Sequence, residues 1–129
     1  MQINIPEIVA EVTAEFMRYE RALGSNDIDT IDTLFWNDPL TLRYGPNGTL
    51  LGHVQISAFR RARDIDGIKR TLKNTVITTY GRDFAVANTE SERHVTGVVS
   101  RQSQTWVRMP EGWRIVSAHV SEAAAKTTK

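Results

Sequence analysis

Two polar side chains stand where the surrounding pattern calls for apolar ones, and they frame the chemistry open to this chain. Tyr19 lies on a stripe with Ile8, Val12, Phe16 and Leu23, whose spacings of three and four mark the buried face of a helix. A phenol there either packs in the core with its hydroxyl satisfied at the edge or handles a proton. Arg43 sits mid-strand between Leu42 and Tyr44, in a segment otherwise suited to burial. If its two neighbours face outward, Arg43 faces inward. A buried guanidinium is costly without a partner, and its planar fork matches a carboxylate with two parallel hydrogen bonds. Arg43 therefore either closes an internal ion pair, to Glu90 or Glu92 on a neighbouring strand, or clamps a carboxylate ligand.

A third concentration of polar groups lies between residues 101 and 121. Met109-Pro110-Glu111-Gly112 suits a hairpin loop, with strand-forming residues on both sides. Counting outward, Arg108 stands opposite Trp113, Trp106 opposite Ile115, Gln104 opposite Ser117 and Gln102 opposite His119. Alternation then places Gln102, Gln104, Trp106, Ile115, Ser117 and His119 on one face. Arg101, Ser103, Thr105, Val116, Ala118 and Val120 share the other. The first face mixes amides, a hydroxyl and an imidazole with large apolar groups. It is either a solvated outer face or the wall of a small polar cavity.

Other chemistries lack their residues. His53, His94 and His119 are the only histidines, and no two have the short spacing of a zinc motif. There is no cysteine, hence no disulfide, thiolate nucleophile or thiolate metal site. No Gly-x-Ser-x-Gly elbow is present. Gly45-Pro46-Asn47-Gly48 reads as a turn, not as a phosphate loop. The expectation is a site with neither metal nor cofactor. The net charge of +1 argues against nucleic acid as a partner. The densest basic run, Arg60-Arg61-Ala62-Arg63 with Arg70 and Lys73 beyond, is diluted by Asp64 and Asp66 and reads as a solvated helix end. No apolar run approaches the ~20 residues that span a bilayer, and no leader pattern opens the chain, so the expected location is the cytoplasm.

The elements that must position Tyr19 and Arg43 follow from pattern. A length of 129 residues suits one domain over 1–129. The apolar stripe predicts a first helix over 6–23, opened by Pro6 and stopped by Gly24. Asn26 or Asp27 caps a second helix through Phe35, with Ile28, Ile31 and Leu34 inward. A strand over 40–44, a short partner over 49–51 and a third helix over 54–63 follow. In that helix Val54, Ala58 and Phe59 are the expected apolar contacts, with Ile56 less clearly placed. Long strands over 69–80 and 84–95 then precede the 101–121 hairpin, and 122–129 reads as a frayed tail. Helices gathered before a strand meander mean α+β. The expected architecture is a cone-shaped, curved antiparallel sheet, its concave face covered by three N-terminal helices and its open end leaving a pocket.

Several stretches are similar to a known family. The order of elements, the Gly52-to-Arg60 helix and the ending Trp-Arg-Ile-Val-Ser-Ala-His-Val-Ser resemble the SnoaL-like, nuclear-transport-factor-2-like superfamily. Within it, Ile-Pro-Glu-Ile-Val-Ala-Glu-Val, Leu-Phe-Trp-Asn-Asp-Pro, Thr-Leu-Arg-Tyr-Gly, Ile-Thr-Thr-Tyr-Gly-Arg-Asp-Phe-Ala and Arg-Gln-Ser-Gln-Thr-Trp-Val-Arg resemble the AtzH/HpxZ-type family of cyanuric acid and oxalurate catabolism. The likeness runs from about residue 2 to 121. It implies a metal-independent decarboxylating amidohydrolase that converts 1,3-dicarboxyurea, made by a neighbouring amidase, into allophanate. It also implies that a Tyr of the first helix and an Arg of the first strand carry the activity, here Tyr19 and Arg43. Trp36, Gln102, Gln104, Trp106 and His119 are the expected substrate contacts, His119 as a contact and not a catalyst. A homodimer paired through the open sheet face is expected. The alternatives are a non-catalytic partner of the amidase and an enzyme for a related ureido acid. Proton abstraction, as in other cone-fold isomerases, would need a pocket carboxylate, for which Glu90 is the candidate.

Overall fold

The computed structural model describes residues 1–123. Helix α1, Pro6–Ser25, opens on Pro6, whose missing N–H costs nothing at the first helical position. It buries Ile8, Val12, Phe16, Tyr19, Ala22 and Leu23, the stripe expected from spacing with Ala22 added. Gly24 is not its stop. The helix runs on to Ser25 and ends at Asn26, in the left-handed region at φ 55°, whose N–H reaches the carbonyls of Ala22 and Leu23. Helix α2, Ile28–Leu34, is capped by the Asp27 carboxylate, which accepts from the Thr30 N–H.

Strand β1 is Leu42–Gly45 and strand β2 is Gly48–Leu51. Leu40, expected in the first strand, is exposed; the Asp38 carboxylate accepts its N–H in a local turn. Helix α3, His53–Ala62, follows, then β3 (Arg70–Tyr80), β4 (Phe84–Arg93), β5 (Val99–Met109) and β6 (Gly112–Ala123). The apolar contacts expected of α3 are corrected. Ile56 is its buried apolar residue at 1% exposure, Phe59 is half-buried, and Val54, at 80%, and Ala58 are exposed. Of the expected tail, Glu122 and Ala123 extend β6, and the rest lies outside the described residues.

The strands form one curved, open six-stranded sheet in the order β2-β1-β6-β5-β4-β3. The meander β3 to β6 is antiparallel throughout, as expected. Strand β1 instead joins β6 in parallel, so Arg43 lies beside Ala118. No hairpin links those two strands, and their direction is set by where α2 delivers the chain: Phe35, just after α2, already bridges Ile115 in parallel.

The β5–β6 register shifts part-way along the hairpin. Near the loop the register is as counted, with Arg108 opposite Trp113 and Trp106 opposite Ile115. Beyond it Thr105 pairs with Ser117, so Val116 is an extra residue in β6. A shift of one residue turns the following side chains to the opposite face. Gln104 therefore lies opposite Ala118 and Gln102 opposite Val120, while Ser117 and His119 move to the outer face.

The core is the contact of α1 and α2 with the inner sheet face. Phe16, Ile31, Leu34, Phe35, Trp106 and Ile115 are each at most 1% exposed. Along β5 the inward positions grade from Trp106 through Gln104 and Gln102 to Ser100, from apolar core to polar end. Among the described residues no helix is long and apolar enough to cross a membrane.

Candidate active site

The polar end of the sheet, away from the β5–β6 loop, holds a cavity with about 50 Å³ open to the centres of water molecules. That is room for ~3–5 waters or one small polyatomic ligand. Its wall is dominated by Arg43, Arg60, Arg63, Arg70 and Arg93. Tyr19 and Leu23 of α1, Ile68, Gln102 and the rim residue Glu122 complete much of it.

Strand alternation turns Arg43 inward while Tyr44 is exposed, as the sequence predicts. Arg43 is 9% exposed, and its guanidinium lies 5.0 Å from the centre of the Phe59 ring. It makes no ion pair with Glu90 or Glu92. Glu90 lies on the outer face, hydrogen-bonded to Asn74 and Arg101. The internal ion pair is thereby removed as an account of Arg43, and Glu90 as a pocket base. Burial, with Arg60 close by, pushes the Arg43 guanidinium down to about 10, still charged at neutral pH.

Arg60 is 4% exposed and packs on the same Phe59 ring at 5.6 Å. Its Nη2 donates to the Tyr19 hydroxyl oxygen at 3.0 Å. The Tyr19 hydroxyl thus lines the cavity with its oxygen held by Arg60. The Tyr19 ring is fixed edge-on against Phe35, with centroids 6.0 Å apart. Arg70 is neutralised by Glu20, to which it donates from Nε at 3.3 Å and Nη2 at 2.5 Å. It also donates to the Gln102 side-chain oxygen at 3.2 Å, leaving the Gln102 Nε2 buried without a partner. Arg43, Arg60, Arg63 and Arg93 have no ion-pair partner among the described residues. A small site that gathers unpaired guanidiniums in this way is built for an anion.

Of the residues singled out in the sequence, Tyr19, Arg43 and Gln102 meet in this cavity. Gln104 and Trp106 lie deeper, at 1% and 0% exposure, where the Gln104 oxygen accepts from the indole N–H at 3.2 Å. Trp36 is half-buried beyond α2, its backbone N–H on the Ile115 carbonyl, and does not line the cavity. His119 is exposed on the outer face, edge-on to Tyr44, because of the Val116 bulge. The basic run read as solvated is corrected in half. Arg61 does pair outward with Asp32, but Arg60 and Arg63 enter the cavity. Their spacing from Ile56, four and seven residues, is the signal that puts them on the buried face of α3. Arg70 and Arg93 face each other across β3 and β4, at strand ends that only the sheet brings to the site.

The model of the AtzH-like family matches residues 1–126. The chain belongs to that family. No curated protein matches the chain. Two solved structures resemble this AtzH-like protein over almost the full length of both chains. One is a protein of unknown function from Pectobacterium atrosepticum, 54% identical over 95% of each chain, with a TM-score of 0.91. The other is a cystatin-like fold protein from Burkholderia xenovorans, 45% identical over 98% of this chain and 99% of that one, also with a TM-score of 0.91. A nuclear-transport-factor-2-like superfamily protein from Salmonella enterica is 30% identical over 95% and 94% of the two chains, with a TM-score of 0.68. The AtzH-like chain thus has the α+β fold of that superfamily.

Proposed function

We propose that the arginine-lined cavity is the active site of a decarboxylating amidohydrolase that acts on 1,3-dicarboxyurea and leaves allophanate, within cyanuric acid breakdown. One observation carries the reading: the Tyr19 hydroxyl, held by Arg60, stands in a cavity where Arg43, Arg60, Arg63 and Arg93 have no ion-pair partner among the described residues. The substrate is a small dianion, and the cavity is small and cationic. Membership of the AtzH-like family supports the choice of pathway.

The chemistry asks little of the protein beyond placement. An N-carboxylated urea loses CO2 once its nitrogen takes up a proton. The C–N bond breaks, its electron pair stays on nitrogen, and the former carboxylate leaves as CO2. Dianion plus one proton gives CO2 and the singly charged allophanate, so atoms and charge balance. Arg43 orients the carboxylate nearest Tyr19, and Tyr19 delivers the proton to the scissile nitrogen. Arg60 sits 3.0 Å from the oxygen on which negative charge then develops, the place where a fixed cation stabilises a transition state. Solvent returns the proton.

The test is to add the purified protein alone to 13C-labelled dicarboxyurea and follow allophanate and CO2 by NMR. Formation well above the spontaneous rate is the expected result. A rate equal to background overturns the proposal and leaves a binding module.

A second expectation concerns Gly45. It lies two residues after Arg43 on the same strand face, and a Cβ there would stand 2.6 Å from Arg43 Nη1. Gly45→Ala is expected to push the guanidinium aside without disturbing the sheet, since the clash is with the end of a flexible side chain. Turnover should fall by up to about 10²-fold, the scale of a 1 Å misplacement, while circular dichroism and Tm stay near wild type.

A further inference from the structure

We propose that Arg63 is the residue that reads the second negative charge of the ligand, so that the cavity holds a dianion and lets a monoanion go. This rests on the proposed function for the identity of the ligand, but not for its charge. Arg63 is the C-cap just past α3, seven residues on from the buried Ile56, and it lines the cavity with Arg60. Its Nε and Nη2 are both buried, and neither has a hydrogen-bond partner among the described residues. These two atoms form one edge of the guanidinium, and their N–H groups run parallel. That edge is the fork which engages both oxygens of a carboxylate. The other cavity arginines are differently placed. Arg60 spends its Nη2 on Tyr19, Arg70 is held by Glu20, and Arg43 has only its Nε buried and unpartnered. Arg93 shows no buried unpartnered donor. Among the cavity arginines, Arg63 is the one with both atoms of a carboxylate-matching edge buried and without a partner among the described residues.

The charge count agrees. Glu20 offsets Arg70 and the rim residue Glu122 offsets one more cation, leaving an excess among Arg43, Arg60, Arg63 and Arg93 that one carboxylate does not balance. Burial and the neighbouring Arg60 push the Arg63 guanidinium down to about 10, a sign of a cation without its counterion. With one ligand carboxylate on Arg43 beside Tyr19 and the other on Arg63, only a ligand with two carboxylates fills both positions. Loss of CO2 leaves a single carboxylate, so one position falls vacant and the product is held less tightly than the substrate.

Calorimetry with two inert probes, malonate and acetate, reads this directly. Wild type is expected to bind malonate in clear preference to acetate. Arg63→Gln should weaken malonate by about 10- to 100-fold, the range for losing a charge-assisted pair of hydrogen bonds, and leave acetate nearly unchanged. With dicarboxyurea the same variant should raise KM by a similar factor and keep kcat within a few-fold. Arg63→Lys retains the charge but not the fork, and it should recover only part of the preference. It also serves as the test if Arg63→Gln does not fold. Equal weakening of both probes, or no change in either, overturns the assignment. Failure to turn over dicarboxyurea with the malonate preference intact and dependent on Arg63 would sink the proposed reaction and leave this inference standing.

Discussion

Tyr19→Phe is expected to lower turnover of dicarboxyurea by about 10²- to 10⁴-fold, the range for removing a positioned acid, with dianion binding close to wild type. The substitution takes away one oxygen and keeps the ring. The edge-on packing against Phe35 survives, and so does the buried stripe of α1. What is lost structurally is the acceptor for Arg60 Nη2. Leaving that donor unmatched costs about 1–3 kcal/mol, so a small fall in Tm is expected and a collapse is not. Malonate binding, read by calorimetry, separates the two roles a tyrosine can have here. If Tyr19 delivers a proton, kcat falls and malonate affinity holds. If Tyr19 only packs, turnover survives the change.

Arg43→Met is expected to abolish measurable turnover and yet leave the protein as stable as wild type or more so. The two halves of that expectation rest on the same fact. Arg43 is 9% exposed and has no carboxylate partner among the described residues. Its depression from the ordinary arginine value to about 10 corresponds to ~3 kcal/mol held against the charged form. Folding therefore carries a penalty that no described residue relieves and that, under the proposed function, a bound carboxylate would. Met fills similar length without charge and forgoes only the contact with Phe59, ~0.5–2 kcal/mol. The pH dependence has a definite sign. For a cation with a lowered folded value, the penalty is fully present below about 10 and fades as pH rises beyond it toward the ordinary arginine value. The stability advantage of Arg43→Met should shrink over that interval. Thermal melts at pH 7 and pH 10.5 check it. An Arg43 that held the fold together would give the opposite result, a destabilised variant at neutral pH.

Local period was enough for part of this site. Tyr19 stands out because a helix repeats every 3.6 residues, and Arg43 because a strand alternates; both are properties of a few adjacent residues. His119 was misplaced because one extra residue, Val116, inverts the facing of the rest of β6, and nothing in the side chains announces a bulge. The parallel pairing of β1 with β6 joins residues 75 apart in the chain, such as Arg43 and Ala118, and is not visible in either segment. The arginines divide in the same way. Arg60 and Arg63 share a helix face with Ile56, so their burial could be read from spacing, yet a basic run near a helix end is solvated by default. Arg70 and Arg93 become neighbours only through the β3–β4 register. The cavity is thus mostly a product of tertiary pairing, assembled around two residues that local pattern does reveal.

A structure of the protein soaked with malonate tests the central claim most directly. The dianion is expected inside the cavity, one carboxylate within hydrogen-bond distance of Arg43 and Tyr19 and the other on the Nε–Nη2 edge of Arg63. Malonate seated instead on the outer sheet face, in the groove lined by Asn88, Ser103 and His119, would contradict it.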